Sequence, residues 1–258
     1  MIGASASAGF TVTEPFGGSN TLQCRLNYYL DAAIIAPHEP VKNLAHALFF
    51  LQPEAAGQMQ VNQAIRTHPT LVVAVDFLFW FSYGRGTNDA DRAQRFDNGL
   101  KLLEAIPCPL VVGDIPDASF ATNTGILSPV QVPSAAALQS ANARLKSWAS
   151  ARPQVVIVPL HDFMHTAMAN ASLTVHGETL SAGKTRAILQ PDMLHPNPRG
   201  AAMLALGILD ALVARKPEFS AEAVRWNIAE VLRLGSQSAL ASTQTSTNSY
   251  SGPMLPAK

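Results

Sequence analysis

Three apolar runs, separated by longer segments of helical periodicity, restrict this chain to folds built on a buried parallel sheet. They are Leu71-Val72-Val73-Ala74-Val75-Asp76-Phe77-Leu78-Phe79-Trp80, Pro109-Leu110-Val111-Val112-Gly113-Asp114 and Gln154-Val155-Val156-Ile157-Val158-Pro159-Leu160. None alternates polar with apolar residues, as a strand with one wet face would. Near-continuous apolar strands are buried on both faces, the situation of a parallel sheet covered by helices. Helical spacing is expected over residues 19–35 (N-cap Ser19 or Asn20), 53–67, 90–106, 134–151, 164–171, 199–216 and 220–234. In the second of these Met59, Val61, Ala64 and Ile65 are expected to face inward. Residues 41–44 fit a short strand, and residues 173–189 a small polar hairpin. Strands alternating with such helices predict an α/β fold, a three-layer α/β/α sandwich around a central, mainly parallel sheet. Ligands in these folds bind at the carboxyl ends of the strands.

The chain has 258 residues, enough for one large domain with a sizeable core. We expect a domain over residues 1–234. Residues 235–258 turn to Ser, Thr, Gln, Asn, Ala and Pro, which reads as a disordered tail. Charged residues make up 14% and the formal net charge is +0; with no basic stripe, nucleic acid is not an expected partner. No apolar stretch reaches the ~18 residues of a membrane span. Cys24 and Cys108 lack metal-ligand spacing and are either free thiols or one disulfide. The Gly/Ser/Ala turn at residues 3–9 would normally follow a strand of ~5–6 residues, yet only Met1 and Ile2 precede it. We therefore expect further residues upstream, most of the first strand and a leader that would export the protein; the compartment otherwise stays open, as does the oligomeric state.

Two candidates for chemistry stand at opposite ends of the chain. Ser5 lies in that first turn, where Ala4 and Ala6 leave its hydroxyl accessible and backbone N–H groups can face a developing oxyanion. Asp192-Met193-Leu194-His195-Pro196-Asn197-Pro198 places a carboxylate three residues before an imidazole, with two prolines stiffening the turn. A carboxylate holds a neutral His in one tautomer and leaves its other nitrogen free as a base. Asp162-Phe163-Met164-His165 repeats the spacing without the prolines, and Asp162 there has a simpler role as a helix cap. Asp76 is a carboxylate in apolar surroundings, expected to hold loops together through backbone N–H groups, with orientation of Ser5 as the alternative.

Gly3-Ala4-Ser5-Ala6-Ser7-Ala8-Gly9-Phe10, Gly86-Thr87-Asn88-Asp89 and Asp192-Met193-Leu194-His195-Pro196, in this order, resemble the conserved blocks of the SGNH/GDSL hydrolases, a superfamily of serine esterases, lipases and deacetylases. The resemblance covers roughly residues 1–215 and implies a flavodoxin-like SGNH hydrolase fold. It also implies Ser5 as nucleophile, His195 as base and Asp192 as its partner. The oxyanion hole would come from the N–H groups of Ser5 and Gly57 with the Asn88 amide. The alternative for Asn88 is that it or Thr87 is the N-cap of the following helix, and Ala4 stands where the family has Asp. The implied activity is hydrolysis of a small-molecule carboxylic ester through an acyl-enzyme, with no metal or organic cofactor in the chemistry. The aromatic residues Phe49, Phe50, Phe77, Phe79, Trp80, Phe81 and Tyr83 would line an acyl pocket or pack the core. An alternative is a catalytically impaired binding protein on the same fold. A dinucleotide-binding domain fits poorly, because residues 3–9 lack the G-x-G-x-x-G spacing.

Overall fold

A computed structural model of the chain describes residues 1–84, 86, 88–216 and 218–248, with side chains to residue 242. In chain order, short helices α1 (Ser5–Ala8) and α2 (Ser19–Gln23) precede α3 (Leu26–Ala33) and α4 (Pro53–Arg66). Strand β1 (Val72–Ala74), the one-turn α5 (Phe79–Ser82), α6 (Asp89–Leu103), β2 (Leu110–Gly113) and α7 (Ala135–Ser150) follow. The chain continues through β3 (Val155–Val158), α8 (Leu160–Met168), the hairpin β4 (Leu173–Val175) and β5 (Glu178–Leu180), α9 (Pro198–Arg215) and α10 (Ile228–Asn248). The fold is mixed α/β, with β1, β2 and β3 side by side in one parallel sheet.

Residues 1–3 continue this sheet beyond β1, the Ile2 N–H donating to Val73 O at 2.9 Å. On their other side, Leu44 N–H donates to Met1 O and His46 N–H to Gly3 O. The two segments advance together, in the parallel sense. Neither is a regular strand, so the expected strand at 41–44 is instead an irregular lane, held by these two bonds and by the Met1 amino group donating to Lys42 O at 2.6 Å.

Alternation within each strand sends neighbouring side chains to opposite faces. Val72, Ala74, Leu110 and Val112 pack with Val61 of α4, Phe96 and Leu100 of α6 and Leu138 and Leu145 of α7. Val73, Val111, Val156 and Val158 pack with Leu30 of α3, Leu206 and Leu209 of α9 and Val231 of α10. Each strand is thus apolar throughout because both its faces are covered.

Several expectations are corrected. The run 71–80 holds only three strand residues, because the chain turns at Asp76 and coils into α5. The helix expected over 19–35 is broken at Cys24 and Arg25. Its N-cap is Gly18, and Glu14 reaches over to accept from the N–H groups of Asn20 (2.7 Å) and Thr21 (3.1 Å). Met59 of α4 is exposed, and the neighbouring Gly57 and Gln60 are the buried positions. The tail boundary also moves: α10 runs to Asn248, with Gly235 fitting against the Tyr29 ring and Ala239 fully buried. Small residues at 235–241 thus serve close helix packing, and only residues 249–258 of the expected tail lie outside the described residues. Cys24 and Cys108 are free thiols.

Candidate active site

The turn that carries Ser5 is fixed by side chains from three directions. Gln60 of α4 grips Gly3 at both ends, its Oε1 accepting from the Gly3 N–H (2.8 Å) and its Nε2 donating to the Gly3 carbonyl (2.9 Å). Asp76, at the exit of β1, accepts from Ala4 N–H (3.0 Å), Ser7 N–H (3.0 Å) and Ser7 Oγ (2.6 Å). Asn43 donates to Ser7 O at 3.1 Å. With its two oxygens engaged in this way, Asp76 is the scaffold of the turn, and it makes no bond to the Ser5 hydroxyl. Ser5 opens α1, and its N–H and that of Ala6 have no acceptor among the described residues. The first N–H groups of a helix are unpaired by geometry.

The loop 190–197 is equally constrained. The Gln190 N–H bonds to His195 O (2.8 Å), closing the turn, while Met193 takes a left-handed φ of 59°. Asp192 serves two purposes: its Oδ1 accepts from Leu194 N–H and His195 N–H, both at 3.0 Å, and its Oδ2 lies 2.7 Å from His195 Nδ1. Asn197 caps α9 through Gly200 N–H, and Pro198 begins the helix. The Gln190 amide donates to Phe10 O (2.8 Å) and to Pro196 O (3.0 Å), tying this loop to the segment just after Ser5. Phe10 lays its ring against the imidazole, with centroids 4.6 Å apart.

The consequence is a continuous chain of three groups drawn from the two ends of the polypeptide. His195 Nε2 lies 2.8 Å from Ser5 Oγ, across 190 residues of sequence. Asp192 and His195 are buried, whereas Ser5 is half-buried and can be reached. Burial by itself would raise the Asp192 carboxyl, but the imidazole and the two N–H donors outweigh it and hold it below the usual carboxylate range. A carboxyl that is lowered on folding adds stability above its unfolded value, and that stability is lost as pH falls through the folded one. Wild type is therefore expected to exceed Asp192→Asn in stability above about pH 4, with the difference shrinking on acidification below that. Urea denaturation of both proteins across this range checks it, and a gap that widens in acid would contradict the assignment.

Ser5, His195 and Asp76 open onto a cleft of about 920 Å³, part of it open to solvent, at the carboxyl ends of residues 1–3, β1, β2 and β3. Its walls are apolar: Val75, Phe79, Trp80 and Ile115 on the strand side, then Phe163 and Met164 of α8 and Met203 of α9. The aromatic run thus divides. Phe79 and Trp80 face the cleft, whereas in the core Phe77 stacks on Phe81 and Phe49 meets both edge-on. Tyr83 pins the loop after β2, donating to Pro116 O and accepting from Ala118 N–H.

Two expected oxyanion donors are not brought to this cleft. Gly57 sits inside α4, where a Cβ would come within 2.9 Å of Phe77 Cζ and 3.1 Å of Leu102 Cδ1, so its smallness serves helix packing. Asn88 is the N-cap of α6, its side-chain oxygen accepting from Asp91 N–H at 2.9 Å. Thr87, its rival for that role, lies outside the described residues. Asp162 is in the first turn of α8 behind the N-cap Pro159, and His165 is exposed in the last turn. The residues that sequence reasoning missed are Gln60, Asn43 and Gln190, polar side chains spent on backbone groups. Only Gln60, which interrupts the inward face of a helix, left a readable trace.

Among the described residues no three His, Cys, Asp or Glu side chains gather as a metal-binding group, and no helix is long and apolar enough to cross a membrane. Comparison of the chain with family models, curated proteins and solved structures gives no match.

Proposed function

We propose that this chain is a serine hydrolase that cleaves carboxylic esters, with Ser5 as nucleophile, His195 as general base and acid, and Asp192 as the group that orients the imidazole. One observation carries the proposal: the unbroken Ser5–His195–Asp192 hydrogen-bond chain, with links of 2.8 and 2.7 Å, opening onto an apolar cleft. A triad is recognised by geometry and roles rather than by order in the sequence. Helices on both faces of the sheet support the three-layer α/β/α reading. The lane order 42–46, 1–3, β1, β2, β3 is that of flavodoxin-like sheets, which bind ligands where the order reverses. That reversal lies at residues 1–3, directly before Ser5. The resemblance to SGNH/GDSL hydrolases agrees with both.

In this mechanism His195 Nε2 takes the proton of Ser5 Oγ as the oxygen attacks the ester carbonyl, and Asp192 stabilises the imidazolium that forms. The N–H groups of Ser5 and Ala6, without an acceptor among the described residues, are the donors offered to the tetrahedral oxyanion. Collapse expels the alcohol, protonated by His195, and leaves an acyl-Ser5 ester. Water, deprotonated by the same imidazole, then releases the acid and regenerates the hydroxyl.

A second reading, a binding protein on this fold with impaired catalysis, is favoured by the absence of Gly57 and Asn88 from the cleft. One missing oxyanion donor typically costs about 10²–10³-fold in kcat. Labelling with a fluorophosphonate followed by peptide mapping tests the proposal. Modification of Ser5 alone, together with turnover of short p-nitrophenyl esters, is expected. Labelling without turnover would favour the second reading, and an unlabelled Ser5 in folded protein would defeat the hydrolase assignment.

A further inference from the structure

Of the two acids in the cleft outside the triad, Asp76 is committed to the Ser5 turn, which leaves Asp114. Asp114 ends β2 as Asp76 ends β1; it lines the cleft and is 8% exposed. Its Oδ1 accepts from the His161 N–H at the start of α8 (2.7 Å), while Oδ2 has no partner among the described residues. Asp76 makes three bonds from an equivalent position, so the single bond at Asp114 marks the carboxylate as unfinished. That second oxygen is open to the cleft rather than sealed, so a substrate chain that displaced water from it would have to satisfy it. Burial raises the Asp114 carboxyl above its ordinary range, against the His161 N–H, which lowers it. A second unfinished group stands in α5, beyond β1: Trp80 also lines the cleft, and its indole N–H is buried without an acceptor.

Adjacent strands lie ~4.8 Å apart, so β2 is two lanes and roughly 10 Å from the lane that carries Ser5. A chain of medium length attached to the reacting carbonyl would span that gap. The groups waiting outside the triad are one acceptor and one donor. A hydroxyl can use either, since it both donates and accepts. An ammonium can only donate and would have to shed its water in an apolar cleft, and a carboxylate would meet Asp114 as a like charge. A plain alkyl chain would leave both groups unpaired.

Resting on the hydrolase reading, we propose that Asp114 is a specificity residue that receives a hydroxyl on the acyl chain, making esters of hydroxylated medium-chain acids the preferred substrates.

The test compares p-nitrophenyl hexanoate, its ω-hydroxy analogue and its ω-ammonio analogue on wild type, Asp114→Asn and Asp114→Leu. Asn keeps an oxygen for the His161 N–H, so it preserves the fold where Leu does not. A hydrogen bond to a charged group corresponds to roughly tenfold or more, and wild type is expected to favour the ω-hydroxy ester in kcat/KM by that factor. The preference should fall to about threefold or less in Asp114→Asn. A wild-type preference for the plain or ammonio ester, or an unchanged preference in Asp114→Asn, overturns the proposal. If no ester is turned over, the hydrolase reading fails separately. Calorimetric binding of the same esters to Ser5→Ala then decides the role of Asp114: tighter binding of the hydroxylated ester supports it, and equal binding overturns it.

Discussion

Ser5→Ala is expected to lower kcat for p-nitrophenyl ester hydrolysis by about 10⁵-fold, with His195→Ala losing a similar amount and the double variant losing little more. The reasoning is that the two side chains act as one device. Without the hydroxyl there is no acyl-enzyme, and without the imidazole the hydroxyl keeps its proton through the attack. Once one is gone the other has nothing left to lose. Asp192→Asn should cost less, about 10⁴-fold, because the imidazole stays in place but its tautomer is no longer fixed. What remains in the double variant would come from the apolar cleft and the N–H groups of Ser5 and Ala6. Steady-state kinetics on the four proteins check this, with thermal denaturation to show that each is folded. Losses that multiply across the double variant would mean that Ser5 and His195 work independently, which the 2.8 Å contact argues against.

Much of this site could be read from the letters, for a specific reason. Asp192 and His195 lie three residues apart, so their pairing is local and prolines betray the rigidity of the loop. Ser5 was readable from its small neighbours. What was hidden was the partnering of side chains with distant backbone: Gln60 with Gly3, Gln190 with Phe10, Asp76 with Ser7. Backbone groups carry no sequence signature, so such contacts leave only a polar letter in an apolar setting. Asp76 was legible by that signal, and Asp114, with the same signal at the end of β2, was passed over as a strand terminus.

The misread elements share a second cause. Apolar composition records burial and not extension, so residues 75–80 read as strand although they turn and coil into α5. Their side chains are as buried as those of β1 because Phe77 and Phe81 pack in the core against Gly57 of α4 and Gly99 of α6, while Phe79 and Trp80 wall the cleft. The tail was misjudged in the opposite sense. Gly235 and Ala239 have little hydrophobic weight, yet a helix lying close against Tyr29 needs small residues there. Gly57 was misassigned by the same confusion, a glycine kept for helix packing being read as an N–H donor.

Gly3→Ala should be among the most damaging single-methyl changes in the protein. Gly3 has a φ of 151°, where an L side chain is strained, and its added Cβ would overlap Asp76 Oδ1 and come within 3.2 Å of Asp76 Cγ. The neighbouring backbone cannot yield, because Gln60 holds both the N–H and the carbonyl of Gly3. Asp76 must therefore move, stranding a buried carboxylate and the N–H groups of Ala4 and Ser7 together. Buried groups left unpaired cost roughly 1–3 kcal/mol each, and more when charged, so a loss of about 4 kcal/mol is expected. Activity should fall with it, since Ser5 lies between the two N–H groups that Asp76 holds. Gly57→Ala supplies the control: it crowds Phe77 and Leu102 instead, and should cost about 1–3 kcal/mol while the folded fraction keeps its activity. The decisive comparison is with Asp76→Ala, which removes the atom that Gly3→Ala strikes. Residues in direct contact couple in a double-mutant cycle, so Gly3→Ala on the Asp76→Ala background should add only a small further loss in urea denaturation. If it adds its full cost there, the carboxylate is not what forbids a side chain at residue 3.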